Sequence, residues 1–363
     1  MLDENGMTPP PEGMTHHRIV VLWFRNDLRL HDNMLFSHVS ASDTVIPLYV
    51  YDKRFLSQGS DQLPMLPRAG SVRRRFLADS VVELQQSLRA MGSELYTVDD
   101  LPENVIPAIA LRARAHARSV TVVYHREDTH EEQNIERLLG LKLDIISVQV
   151  VALAGGISLF HPDDVYWSRP PLNWQTFRSH IERIRVRTPT SAPKKLPPLP
   201  VFKVSEADSG AVPVWLLDGS CAAVLVAQDR GQVPLAGGER AGLTRMREYV
   251  SKGLSTYKRT RNQLSGTLQS SHLSAWLALG CVSVRTVYAV AKRAERSGCA
   301  ADHVYKFVFE LWWRDFFRFF CAACGPRVFF LSGPARRQRA WRRDEVNIPS
   351  DHQKVTAHGV LAC

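Results

Sequence analysis

The residues best placed to do chemistry lie in HVYKFVFELWWRDFFRFF, residues 303–320. Glu310, Trp313, Arg314 and Phe317 are spaced i, i+3, i+4, i+7, so on a helix they share one face. A carboxylate, a flat ring and a guanidinium presented together suit a planar aromatic ligand or an extruded base. The same residues also suit a plainer arrangement, a Glu310–Arg314 pair closing an aromatic core. Nine of the 17 residues from Val304 to Phe320 are aromatic. A helix apolar nearly all round is expected to be buried, and its five charges exclude a membrane span.

A second constellation runs over Tyr257–Ser283, where basic residues precede Ser270-Ser271-His272-Leu273-Ser274 and a short apolar helix. Serine at a helix start caps free N–H groups. The same groups and the helix dipole can seat a pyrophosphate, with Lys258, Arg259 and Arg261 adding charge. Both readings stay open. In HREDTHEE (125–132), Glu127, Glu131 and Glu132 follow a strand end, where first-turn acids are common. Cys321-Ala-Ala-Cys324 has metal-like spacing but no second pair at zinc-finger distance, so no metal is expected.

These residues need elements to position them. RIVVLWF (18–24) and VIPLYVY (45–51) read as strands buried on both faces. Further strands are expected at 94–98, 120–125 and 146–153, alternating with helices at 71–91, 103–117 and 131–139. That alternation predicts a parallel, Rossmann-like α/β domain with right-handed crossovers. Ligands then sit beyond the carboxyl ends of the strands, at the loops after Phe24 and Tyr124. The first of these, RNDLRLHDN (25–33), lacks G-x-G-x-x-G, which speaks against a dinucleotide site there. Ten of the 21 prolines fall between Pro162 and Pro234, so this stretch reads as a connector with one helix at about 173–187. Beyond Gly238 the pattern is helical, at about 239–252, 274–279, 283–297 and 303–320. The division expected is an α/β domain over 18–155, a connector over 156–236, a partial helical domain over 237–344 and a divergent tail over 345–363.

The 363 residues suffice for two cores. With 45% hydrophobic and 23% charged residues, the chain is neither disordered nor fibrous. Six cysteines make no disulfide scaffold and suggest a reducing, intracellular setting. Residues 1–17 read as neither a signal nor a transit peptide. No membrane association is expected, and no particular compartment is indicated. The formal net charge is +10, with six basic residues and one acid between Arg245 and Arg261 and five arginines in 336–343, consistent with a polyanionic partner or with solvated basic faces.

In this order the pieces resemble the photolyase/cryptochrome family, and within it the DASH cryptochromes. The resemblance rests on VVLWFRNDLRLHDN (20–33), HREDTHEE, NWQTFRSHIERIRVR (173–187), GGERAGLTRMREYVSKGLSTYKRTRN (237–262), LSAWLALGCVSVR (273–285) and FELWWRDFFRFF (309–320). It implies an antenna-binding α/β domain and a helical domain holding a folded FAD. It also implies light-driven splitting of cyclobutane pyrimidine dimers in single-stranded DNA, a lyase activity, by a monomer. By the same resemblance, Tyr257 and Ser270, Ser271, His272, Leu273 and Ser274 contact FAD, and Arg314 stands beside flavin and substrate. Glu310 and Trp313 bind the dimer as catalytic residues, with Arg314 and Phe317 completing the DNA contact. Glu127 or Glu131 takes a folate antenna, methenyltetrahydrofolate.

Two departures accompany the resemblance. At Thr267–His272 the family's aromatic-Ser-Thr-Lys is absent, which removes a lysine and keeps the hydroxyls. After Trp341–Asp344 the family's Gly-Thr-Gly and Asn-Met stretches are absent, and the chain is expected to be C-terminally truncated. The alternatives to repair are a blue-light receptor or DNA-binding protein using the same flavin, and an inactive incomplete chain.

Overall fold

The computed structural model describes residues 16–56, 68–167, 170–204, 212–213, 216, 235–263 and 266–336. The arginines 337–343 and the divergent tail lie outside the described residues. Five strands, β1 (His16–Phe24), β2 (Thr44–Val50), β3 (Tyr96–Val98), β4 (Ala117–His125) and β5 (Gln149–Leu153), form one parallel sheet in the order β3-β2-β1-β4-β5. Side chains alternate across a pleated sheet, so β1 feeds two cores. Ile19, Val21 and Trp23 enter one, Val20, Leu22 and Phe24 the other, and all six are at most 3% exposed. Between the strands run α1 (Lys53–Leu56), α2 (Ser71–Ala90), α3 (Pro102–Arg114) and α4 (His130–Ile145). The first core contains Ile106 and Ile109 of α3 and Leu139 and Leu143 of α4. The second contains Leu77, Val81 and Leu84 of α2 and runs on into the helices that follow the connector.

The connector carries α5 (Pro162–Val165) and α6 (Trp174–Ile181). Beyond it come α7 (Glu239–Lys252), α8 (Tyr257–Thr260), α9 (Ser274–Ala278), α10 (Val284–Arg296) and α11 (Ala301–Cys324). The architecture is therefore α/β followed by an all-helical region, the photolyase/cryptochrome arrangement expected. The described residues up to Ala323 form one compact unit, and a second unit begins at Cys324, with a 3-10 turn at Gly325–Phe329. Among the described residues no helix is long and apolar enough to cross a membrane.

Several boundaries move for local reasons. The helix expected at 131–139 continues to Ile145 through Gly140, because Ile135, Leu139 and Leu143 keep one buried stripe at i, i+4, i+8. The helix expected at 173–187 stops at Ile181. Beyond it Ile184 and Val186 pack on the core while Arg183 and Arg185 face water, a period of two that a helix cannot keep. The strands expected at 94–98 and 146–153 shorten to three and five residues. The aromatic helix is not buried all round. Phe317 is 56% exposed and the Glu310 side chain 40%.

Candidate functional site

The loop after β1 is a polar hub. Asp27 and His125 are fully buried, with His125 Nδ1 and Asp27 Oδ2 2.6 Å apart. Arg29, 1% exposed, donates to the carbonyls of His31, Asp32, Gly156 and Gly280 at 2.8–3.0 Å. Asp32 accepts from Arg285 Nε at 2.9 Å and Nη2 at 3.0 Å, from the Ser283 hydroxyl, and from the Thr190 N–H. Burial raises the Asp32 carboxyl, but Arg285 and Ser283 outweigh it and hold the group below the usual carboxylate range. Glu239 accepts from the Leu30 N–H at 2.6 Å and sits 2.6 Å from His31 Nδ1, and is lowered in the same way against its own burial. Gly280, at φ +63°, lets this loop approach, since a Cβ there would lie 2.0 Å from the Asn26 carbonyl oxygen. The segment 25–33 thus ties the sheet to the helices.

At the topological switch between β1 and β4, the loops after both strands converge. Glu127, 6% exposed, accepts from Asn26 Nδ2 at 2.8 Å and Arg318 Nη2 at 3.2 Å. Arg318 also pairs with Asp128 at 2.8 Å. Burial raises the Asp128 carboxyl. Glu127, Asp128 and Arg318, with Gln133 and Trp167, line a cavity of about 210 Å³. Glu131 lies apart, 52% exposed and paired with Arg68 through two bonds of 3.0 Å. Of the two carboxylates left open by the sequence, only Glu127 lines this cavity.

In the helical region, Tyr257 is 7% exposed, edge-on to Phe307 at 5.4 Å, and burial pushes its phenol up to about 12. Arg245, 5% exposed, donates to the carbonyls of Thr267, Ser270 and Ser271 and so fixes the hydroxyl-rich stretch against α7. His272 adopts φ 54° and its ring faces the Gly266 carbonyl at 3.4 Å. The serine cap weighed from sequence does not form. The N-cap of α9 is Leu273, without a side-chain bond, because the turn at His272 places Ser274 inside the first turn.

On α11 the four stripe residues go to different neighbours. Glu310 pairs with Arg261 at 2.5 Å, and the Glu310–Arg314 pair is not made. Arg314 turns inward, donating to the Ile157 carbonyl at 2.8 Å and the Leu277 carbonyl at 3.3 Å. Burial, then the neighbouring Arg318, lowers it to about 10. Trp313 stacks on Trp174 of α6, centroids 3.8 Å apart and planes 9° apart. Phe317 faces solvent one turn further on. Asp315, 0% exposed, accepts from the N–H groups of Leu159 at 2.8 Å and Phe160 at 2.9 Å and anchors the helix to the connector. Trp174 and Asp315 were not singled out from the sequence. An acid inside an otherwise aromatic helix was the signal available for Asp315. Among the described residues no cluster of three or more His, Cys, Asp or Glu could hold a metal.

A parallel sheet with polar loops at its switch point, latched to helices bearing an aromatic face, defines an α/β-plus-helical protein. The DNA photolyase family model matches residues 20–200. A DASH cryptochrome of Gloeobacter violaceus is 37% identical over 333 residues, 90% of this chain and 64% of that protein. The crystal structure of a Synechocystis cryptochrome superposes with a TM-score of 0.82 at 34% identity, covering 94% of this chain and 68% of that one. A class III photolyase of Agrobacterium tumefaciens shares the fold, with a TM-score of 0.73 at 22% identity. The chain belongs to the photolyase/cryptochrome family. It spans about two thirds of the length of the relatives it matches.

A photolyase of Sulfolobus tokodaii that shares the fold, with a TM-score of 0.60 at 20% identity, was solved with two FAD molecules. The donor set around Tyr257 fits such a cofactor. The hydroxyls of Ser270, Ser271 and Ser274 lie in the stretch fixed by Arg245. The buried Tyr249 hydroxyl, in the same corner, has no partner among the described residues.

Proposed function

We propose that this chain is a light-driven flavoprotein acting on cyclobutane pyrimidine dimers in single-stranded DNA, in the manner of a DASH cryptochrome. One observation carries the reading. A half-exposed carboxylate, Glu310, and an indole, Trp313, lie on one stripe of α11, with Arg261 held against the carboxylate. In a member of this family that combination suits an extruded pyrimidine. Glu310 offers an acceptor to its N–H groups, Trp313 a stacking surface, and Arg261 a phosphate contact. Phe317 extends the aromatic surface toward solvent. Arg314 is committed to two backbone carbonyls, so in this reading it positions α11 and lends charge.

Tyr257 and the stretch Ser270–Ser274 would hold FAD, with the hydroxyls and His272 on its phosphates and Leu273 packing beneath. FAD supplies the light-driven electron transfer when bound; the chain supplies position and electrostatics. Glu127, lining the 210 Å³ cavity, would hold a folate antenna. This assigns antenna binding to 18–155, linkage to 156–236 and flavin binding to 237–344.

Reconstitution tests the reading. The purified chain, incubated with FAD and desalted, is expected to retain flavin absorption and to repair a thymine dimer in a single-stranded oligonucleotide under blue light. Failure to retain flavin overturns it. Retention without repair favours the receptor alternative.

A further inference from the structure

Trp174 lies in the connector, far in sequence from the motif-rich helices, yet its ring lies flat on Trp313 at 3.8 Å and 9°. That is the spacing of stacked bases, and other rings hold Trp174 in it. Phe309 and Phe316 stand edge-on at 5.0 and 5.7 Å, with interplanar angles of 78° and 82°. Phe177 lies near-parallel at 5.9 Å. Edge-to-face contacts place the positive ring edge on the negative ring face, so this arrangement is attractive as well as space-filling.

One face of Trp313 is therefore filled. Trp313 is only half-buried, so the surface that remains reachable lies away from Trp174. On the next turn Phe317 lies 5.7 Å from Trp313 at 27° and is itself exposed. Cations rim the cluster, with Lys306 5.2 Å and Arg178 5.7 Å from the Phe309 ring.

We propose that Trp174 is a positioning residue: it backs Trp313 so that the indole offers a single face, and an unstacked nucleobase of single-stranded DNA extends the Trp174–Trp313 stack outward without displacing Trp174. This rests on the reading above that the α11 face meets DNA. A base that displaced Trp174 would gain one stack while breaking the stack on Trp313 and three further ring contacts. A base that adds to the outer face gains its stack and breaks none.

Fluorine NMR of protein labelled with 5-fluorotryptophan tests this, with the Trp174 and Trp313 signals assigned from Trp174→Phe and Trp313→Phe variants. A single-stranded thymidine oligonucleotide is the probe, its binding followed separately by fluorescence anisotropy. The expected result is a shift of the Trp313 signal on binding, while the Trp174 signal keeps the H₂O/D₂O isotope shift it has in the free protein. Trp174→Ala should weaken binding about tenfold, whereas Trp174→Phe, which still stacks, should weaken it no more than about threefold. A Trp174 isotope shift that grows on binding would overturn the proposal and leave the DNA reading intact. So would unchanged affinity in a folded Trp174→Ala protein. Absence of oligonucleotide binding would remove the DNA reading and this inference together. If Trp174→Ala does not fold, the wild-type signals and Trp174→Phe decide.

Discussion

Asp32 accepts two hydrogen bonds from Arg285, at 2.9 and 3.0 Å, across 253 positions of chain, and both side chains are almost fully buried. Removing one partner leaves the other charged and dry. Arg285→Ala or Asp32→Ala should therefore cost about 3–5 kcal/mol of stability, measured by urea denaturation. A loss below about 1 kcal/mol would mean that water reaches the pair.

The same pair sets an acid limit. Because the folded-state Asp32 carboxyl is lowered, its contribution is complete above the unfolded-state value of about 4 and is lost as the pH falls below that toward the folded-state value. Stability measured from pH 6 downward should fall more steeply in the wild type than in Asp32→Asn. Parallel profiles would assign the acid limit to other groups.

Arg261 and Glu310 form a half-exposed pair, worth about 0–1 kcal/mol to stability. Glu310→Gln should leave the melting temperature nearly unchanged while lowering dimer repair in single-stranded DNA under blue light. Arg261→Gln should reduce the slope of log affinity against log salt by about 1, the signature of one phosphate contact. Equal repair by wild type and Glu310→Gln would remove the role given to the carboxylate.

Glu127 and Glu131 separate by environment. Reconstitution with methenyltetrahydrofolate, followed by near-ultraviolet absorption, should fail for Glu127→Ala and succeed for Glu131→Ala, because only Glu127 lines the cavity. Equal retention by both variants would locate the pigment elsewhere.

Tyr257 and Tyr124 are both pushed up to about 12 by burial. Their neutral forms favour the folded chain, so this contribution is complete below about pH 10 and is lost as the pH rises from there toward 12. A tyrosinate absorbance titration should show a late-ionising fraction that shrinks in Tyr257→Phe.

Much of the fold was legible because it rests on local periodicity. RIVVLWF is a strand because its six apolar residues, Ile19–Phe24, rich in β-branched types, can be buried on both faces. The helix at 239–252 has the expected ends because Gly238 and Gly253 flank it. The helix expected to end at 139 runs on through Gly140, because the buried stripe through Leu139 and Leu143 outweighs the roughly 1 kcal/mol cost of a helical glycine.

The site divides in the same way. Spacing alone put Glu310, Trp313, Arg314 and Phe317 on one stripe, since 3.6 residues per turn is a property of the backbone. The directions in which those side chains turn depend on partners 37 to 157 positions away in the chain. Arg314 turns inward because the carbonyls of Ile157 and Leu277 are there to accept from it. Glu310 chooses Arg261 over Arg314 for the same reason, as Arg314 is already committed. The sequence by itself determined the strands, the aromatic stripe and the family motifs, all set by neighbours within a turn or a pleat. Tertiary structure decided that Asp32 meets Arg285, that Glu127 rather than Glu131 lines the cavity, and that Trp174 backs Trp313. Each of those contacts joins segments that meet only when the connector folds back, and no local pattern encodes that return.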